Sequence, residues 1–238
     1  MKYQLPAEAR PFVLFQRTEL LPKKPTPGLL RRALGRLLAL DDGYQAFVGN
    51  YALSEPKLID EQYFSLMSEK ASSLLPYIPS KTASILDIGC GIAALDLVLY
   101  RNLRSPKLYL LDKSISEDRI WYEFKDKGAF YNSLDLAKNT LLLNGVVEDK
   151  IEVLEAPDDG VIKLPEKSVD LVVSTISWGF HYPVSTYLKS VVRILSETGI
   201  LIIDIRRDTG GEAELEEYFS VEIIDEQRKY LTLRCTSK

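Results

Sequence analysis

The sequence predicts an α/β protein: a doubly wound, mostly parallel seven-stranded sheet with a C-terminal antiparallel hairpin and an N-terminal helical extension. Three observations carry that expectation. From residue 83 onward, short apolar runs alternate with longer segments of helical periodicity, the pattern of a parallel sheet covered by helices on both faces. The last two apolar runs, 218–224 and 229–235, flank a short polar turn and so read as an antiparallel pair. Ahead of this, residues 1–82 are rich in proline and amphipathic stretches and read as an extension and helical cap, with residues 83–238 as the sheet domain.

Taken in order, Pro6, Pro11, Pro22, Pro25, Pro27 and Gly28 punctuate the first 28 residues, which are expected to be extended or irregular. Residues 29–40, LLRRALGRLLAL, read as a helix with Arg31, Arg32 and Arg36 beside an apolar stripe. Residues 1–40 hold eight Lys/Arg against two Asp/Glu, in a chain whose net charge is −4. A basic helix of this kind suits a cap packed on the main domain, or weak peripheral contact with an anionic membrane, although the central Gly35 weakens it as an anchor. A longer helix is expected at 58–75, with Leu58, Phe64, Met67, Ala71, Leu74 and Leu75 on one face and Pro56 and Pro76 at its bounds. Strands follow at 84–88, 107–111, 151–154, 169–174 and 199–205, and helices at 93–102, 133–144 and 185–196.

Composition narrows the function. Hydrophobic residues at 46% and charged residues at 27% are ordinary for a globular protein. No apolar run approaches the roughly 18–20 residues that span a bilayer, and the N-terminus lacks a secretory pattern. The two cysteines, Cys90 and Cys235, make neither a disulfide framework nor a metal-type spacing, so a cytoplasmic protein without a metal is expected. The acidic balance, with a pI near 5.3, argues against a nucleic-acid partner.

The chemistry concentrates where the first strand ends in Asp87-Ile88-Gly89-Cys90-Gly91 and runs straight into a helix. Open α/β sheets bind ligands beyond the carboxyl ends of their strands. The glycines allow a tight turn and close approach of a ligand to the backbone, and free N–H groups at the helix start suit a carboxylate or phosphate. By themselves they fit a dehydrogenase as well, since residues 89–94 satisfy G-x-G-x-x-A. Asp87 separates the two readings, because a carboxylate here repels a pyrophosphate and attracts a cationic amino acid.

The segment ILDIGCGIAA, residues 85–94, resembles the D-x-G-x-G first motif of class I S-adenosylmethionine-dependent methyltransferases, with Ala93 where many members have a third glycine. The resemblance covers residues 84–238 and fits the order of elements, including the terminal antiparallel pair. It implies a Rossmann-like enzyme that binds S-adenosyl-L-methionine through Asp87, Gly89, Cys90 and Gly91, through Asp112 and Lys113 after the second strand, and through Glu155, Ala156 and Ser174 after the third and fourth. In that family the acid at Asp112 would accept both ribose hydroxyls. Glu155 would meet the adenine amino group, with Asp158 a competitor on a long loop.

The acceptor is expected at residues 174–183, STISWGFHYP, read as a loop that borders the transferred methyl group in this fold. It holds the single histidine, His181, whose imidazole titrates near about 6.5 and suits proton removal as a catalytic base. Trp178, Phe180 and Tyr182 suit stacking on a sugar or aromatic acceptor, and the N/D-P-P-Y/F pattern of amino-directed nucleic-acid enzymes is missing. The stretch 113–132, with Arg119, Trp121, Tyr122, Glu123, Phe130 and Tyr131, is long for this fold and reads as a lid in which Tyr122 contacts substrate. Arg206 and Arg207 suit an anionic acceptor. The segments YNSLDLAKNTLLLNGV and SWGFHYP are similar to those of bacterial methyltransferases that modify sugars of surface polysaccharides, which implies O-methylation of a small or glycan acceptor. A nucleic-acid or protein methyltransferase, an NAD-dependent dehydrogenase and a non-catalytic cofactor-binding module are the alternatives, and the dehydrogenase lacks chain for a separate substrate domain.

Overall fold

The structure is a computed structural model that describes residues 3–22, 42–114 and 133–238. The expected basic helix at 29–40 and Tyr122, with most of the 113–132 stretch, lie outside the described residues.

Seven strands form one sheet in the order β3-β2-β1-β4-β6-β8-β7. They are β1 (Ser84–Ile88), β2 (Lys107–Asp112), β3 (Ile151–Glu155), β4 (Val169–Ser174), β6 (Leu195–Arg206), β7 (Phe219–Glu226) and β8 (Tyr230–Ser237). All pairings from β3 to β6 are parallel, and β8 runs antiparallel to both β6 and β7. The expected doubly wound sheet with its terminal hairpin is therefore present. Chain order reverses between β1 and β4, which places the switch point beside the glycine turn.

The strands pair in this way because they are apolar on both faces. Every residue of β1 is buried. Side chains alternate along a strand, so Ile85, Leu171, Val173, Ile200 and Ile202 point into one core, and Leu86, Val172, Leu201, Ile203 and Ile205 into the other. The first core is roofed by α1 (Ala9–Gln16), α2 (Asp42–Ser54), α3 (Pro56–Leu74), α4 (Ala94–Asn102) and α5 (Leu134–Leu143). The second is roofed by α6 (Leu188–Ile194) and α7 (Gly211–Glu216).

Several local expectations change. Helix α1 lies in the stretch expected to be irregular. Pro11 is its third residue, where the missing N–H would have no intrahelical partner in any case. A buried fork anchors the helix to α3: Arg10 Nε donates to Asp60 Oδ1 at 2.8 Å and Arg10 Nη2 to Asp60 Oδ2 at 2.9 Å. Replacing Arg10 by alanine leaves the Asp60 carboxylate in the core with only the Leu5 N–H, 3.3 Å away. Urea denaturation is expected to show a loss of about 3 kcal/mol, and a loss near zero would mean the pair is hydrated.

Helix α3 begins earlier than expected, at Pro56, and Leu58 in its first turn is 40% exposed rather than part of the buried face. The expected helix 185–196 shortens to α6, because Leu195 pairs with Val169 and so begins β6. The expected loop 174–183 is mostly a strand, β5 (Ser177–Tyr182), that packs on β6. Gly179 makes this close packing possible: it has φ +82°, and a Cβ there would lie 2.6 Å from Ile205 Cδ1.

Candidate active site

At the end of β1 the backbone turns through left-handed conformations at Gly89 (φ +85°), Gly91 (φ +55°) and Ala93 (φ +56°) before α4 begins. Ala93 keeps the conformation a third glycine would take. The left-handed backbone costs about 1 kcal/mol there, and burial of its methyl group offsets about 0.8 kcal/mol. Both glycines are half-buried.

The turn is tied to the end of β2. Gly89 N–H donates to the Leu111 carbonyl at 2.7 Å. Gly91 N–H donates to Asp112 Oδ2 at 3.0 Å, and Lys113 N–H to Asp112 Oδ1 at 2.7 Å. The parallel register sets Asp112 beside Glu155, and Ala156 N–H donates to the Asp112 carbonyl at 2.9 Å. Glu155 Oε1 accepts the Ser114 N–H at 3.0 Å, and Lys113 Nζ donates to Asp158 at 2.8 Å. The structure thus brings Asp112, Lys113, Glu155, Ala156 and Asp158 to one rim, next to Gly89, Cys90 and Gly91.

Asp87 lies near the end of β1, just before the turn. It is 3% exposed, and its Oδ1 has no donor among the described residues. Its carboxyl is held well above the usual range by burial first and then by the acid of Asp96. Asp96, in the first turn of α4, is wholly buried and was missed by sequence reasoning. The available signal was an acid in the otherwise apolar run ALDLVL directly after the glycine turn. The Cys90 thiol is buried beside these acids and is pushed well up, chiefly by burial. It is a packed neutral thiol whose Sγ–H donates to the Gly91 carbonyl at 3.8 Å.

Two expected ligand contacts move into the core. Ser174 is fully buried; its Oγ–H donates to the Ile88 carbonyl at 2.7 Å, and its Oγ accepts the Trp178 N–H at 3.0 Å. The side chain therefore joins β1 to β5 and has its hydrogen-bonding capacity engaged by the backbone. Trp178 is also fully buried, its Nε1–H donating to the Val184 carbonyl at 2.9 Å, so the indole presents no face to an acceptor. The reason is the strand: alternation along β5 turns Trp178 inward against Tyr187.

Gly179, Phe180, His181 and Tyr182 of β5 line a cavity of about 300 Å³ with Arg206, Thr209 and Glu214. Phe180, His181 and Tyr182 contribute its aromatic wall. The Phe180 ring meets His181 edge-on at 5.0 Å and carries the Arg206 guanidinium at 5.7 Å. His181 is solvent-exposed on this wall; partial desolvation, and next the positive charge of Arg206, lower it from its ordinary range, so its imidazole is neutral near pH 7. Burial and then the charge of Asp112 push the Tyr182 hydroxyl up to about 12.

Sequence reasoning also missed Gln16 and Ser177. Gln16, from α1, lies over the turn, where a Cβ on Gly91 would come within 3.9 Å of Gln16 Oε1. Ser177 packs directly on Gly89, so a Cβ there would overlap its hydroxyl. No local pattern announces contacts between segments this far apart in the chain.

No protein-family model matches the chain. Nor does any curated protein. Solved structures do. A candidate S-adenosyl-L-methionine-dependent methyltransferase from Methanococcus maripaludis superposes with a TM-score of 0.51 at 16% identity, over 76% of this chain and 90% of that one. A TehB-like SAM-dependent methyltransferase from Corynebacterium glutamicum does so with a TM-score of 0.50 at 17% identity, over 83% of this chain and 97% of that one. The likeness establishes the fold: the chain has the Rossmann-like, seven-stranded α/β architecture of these methyltransferase structures.

Proposed function

We propose that the chain is an S-adenosyl-L-methionine-dependent methyltransferase that methylates an oxygen of a small polar acceptor such as a sugar. The observation that carries this reading is the buried Asp87 carboxyl at the foot of a glycine turn, whose Oδ1 lacks a hydrogen-bond partner among the described residues. A cationic group fits there, and the ammonium of the cofactor's methionine moiety is such a group. The pyrophosphate of a dinucleotide would instead add negative charge beside Asp87, Asp96 and Asp112.

In this reading Asp87 receives the ammonium, while the backbone at Gly89, Cys90 and Gly91 receives the methionine moiety. Asp112 receives the ribose hydroxyls, and Lys113, Glu155 and Ala156 frame the adenine. Residues 1–82 act as a cap and residues 83–238 as the catalytic domain. When bound, the cofactor supplies an electrophilic methyl group on a sulfonium. The protein contributes orientation and proton removal. His181, neutral at physiological pH, accepts the hydroxyl proton of the acceptor on an imidazole nitrogen. Arg206, held over Phe180, draws an anionic part of the acceptor into the cavity, and Tyr182 lines the same cavity. A cavity of about 300 Å³ supports a small acceptor over a polymer segment.

Two measurements test this. Replacing Asp112 by alanine is expected to weaken S-adenosylhomocysteine binding about tenfold or more in calorimetry, the scale of lost charge-assisted hydrogen bonds. Unchanged affinity would remove Asp112 from the ribose site. A screen with methyl-labelled cofactor against nucleotide sugars, lipid-linked glycans and small phenols then identifies the acceptor. A protein that neither binds cofactor nor transfers label would overturn the reading.

A further inference from the structure

The acceptor cavity proposed above carries a finer assignment, which rests on that reading. Arg206 and Glu214 both line the cavity of about 300 Å³, yet they form no ion pair with each other. Among the described residues the Arg206 guanidinium makes no hydrogen bond or ion pair; it rests on the Phe180 ring at 5.7 Å. The next residue differs. Arg207 Nη2 donates to Glu226 Oε2 at 2.9 Å, and its Nε to the Gln227 carbonyl at 2.9 Å. The Glu214 carboxylate, like Arg206, has no hydrogen-bond or ion-pair partner among the described residues.

Both charges stand on fixed backbone. Arg206 is the last residue of β6, and Thr209 Oγ–H donates to its carbonyl at 2.8 Å, closing the turn toward α7. Helix α7 packs tightly beyond it: a Cβ on Gly211 would lie 2.8 Å from Val184 Cγ2, and Leu215 is fully buried. Glu214, the residue before Leu215, is thereby kept at the cavity. A guanidinium lying on an aromatic face keeps its N–H edge available for a carboxylate or phosphate. A carboxylate only accepts hydrogen bonds, and an ammonium satisfies both its charge and its lone pairs.

With His181 neutral, Arg206 and Glu214 are the only formal charges among the residues that line this cavity. A purely anionic acceptor satisfies Arg206 and is repelled by Glu214, and a purely cationic one meets the reverse. Either leaves one protein charge partly desolvated without a partner. The volume is at the small end for ligand pockets, which run from roughly 300 to 1,000 Å³, and suits a monosaccharide-sized group. We propose that Glu214 is a specificity-determining residue and that the acceptor is bipolar: a small polyol with an anionic group for Arg206 and an ammonium for Glu214, the chemistry of a phosphorylated amino sugar.

Calorimetric titration of the full chain, saturated with S-adenosylhomocysteine, compares three probes built on one ring. They are glucosamine 6-phosphate, glucose 6-phosphate, which lacks the ammonium, and glucosamine, which lacks the anion. The first is expected to bind about tenfold tighter than either of the others, the scale of one charge-assisted hydrogen bond. Glucosaminuronic acid distinguishes a carboxylate from a phosphate as the anion, and preference for either anion supports the proposal. Glu214→Gln is expected to erase the preference over glucose 6-phosphate and keep the preference over glucosamine. Arg206→Gln is expected to do the reverse. Equal affinities, tightest binding of glucose 6-phosphate or glucosamine, no binding of any probe, or an unchanged preference in either variant would overturn the bipolar acceptor. Should a variant fail to fold, the ranking in the native chain still decides. Failure to bind S-adenosylhomocysteine would overturn the cofactor reading instead, and the same titrations without it still rank the probes.

Discussion

Alanine at position 89 is expected to destabilise the protein by about 2–4 kcal/mol and to abolish cofactor binding. Two effects combine. The residue has φ +85°, which alone costs an alanine about 1–2 kcal/mol. The added Cβ also overlaps the hydroxyl of Ser177, and that overlap cannot be relieved by a side-chain rotation alone because the Ser177 Cβ is itself too close. Either β5 or the turn must move. The turn cannot move cheaply, since Gly89 N–H and Gly91 N–H are both bonded to the end of β2. Chemical denaturation measures the stability, and calorimetry with S-adenosylhomocysteine measures the site. Combining Gly89→Ala with Ser177→Gly should recover the steric part and leave the backbone part. A single variant with native stability and affinity would show that β5 does not constrain the turn.

Loss of the His181 imidazole is expected to lower kcat about 100-fold or more while cofactor affinity stays within about twofold, the scale of a general base removed from a proton transfer. The pH profile gives a sharper test than the rate. His181 is held below 6.5 by partial desolvation and by Arg206, so the basic, active form dominates at neutral pH. Activity should rise with pH through a limb centred below that value and then level off. Removing the guanidinium, as in Arg206→Ala, takes away a charge that disfavours the imidazolium. The limb should then move upward, with turnover at mildly acid pH falling in consequence. His181→Ala with native turnover, or a limb unmoved by Arg206→Ala, would exclude the imidazole as the base.

The order of strands and the turn were readable because both are encoded locally. Mostly apolar five- and six-residue runs pair as central strands, and Gly89 and Gly91 supply the backbone that a tight strand-to-helix turn needs. Asp87 and Asp112 were found the same way, as acids at the ends of such runs. The placement of Glu155 beside Asp112 follows from register, since the two stand opposite each other on neighbouring parallel strands. Misreadings occurred where packing overrides composition. Proline density argued against α1, yet Pro11 falls in a first turn that tolerates it and Arg10 locks the helix to Asp60. An aromatic, glycine-containing stretch read as a loop became β5, because Gly179 lets it lie flush on β6.

The linear pattern of apolar runs, glycines and acids was enough to specify an α/β sheet with a tight glycine turn after its first strand, since periodicity and backbone permissiveness are properties of neighbouring residues. Which side chains meet at the candidate site depended on distances between segments far apart in the chain, and only the folded structure holds those. It sent Trp178 and Ser174 into the core, placed His181 and Arg206 on one cavity, and buried Asp96 in the first turn of α4. A strand's alternation decides which face a side chain takes, but the partner it meets there is set by how helices and strands pack. Burial of that contact, in turn, gives an ordinary carboxyl its altered affinity for a proton.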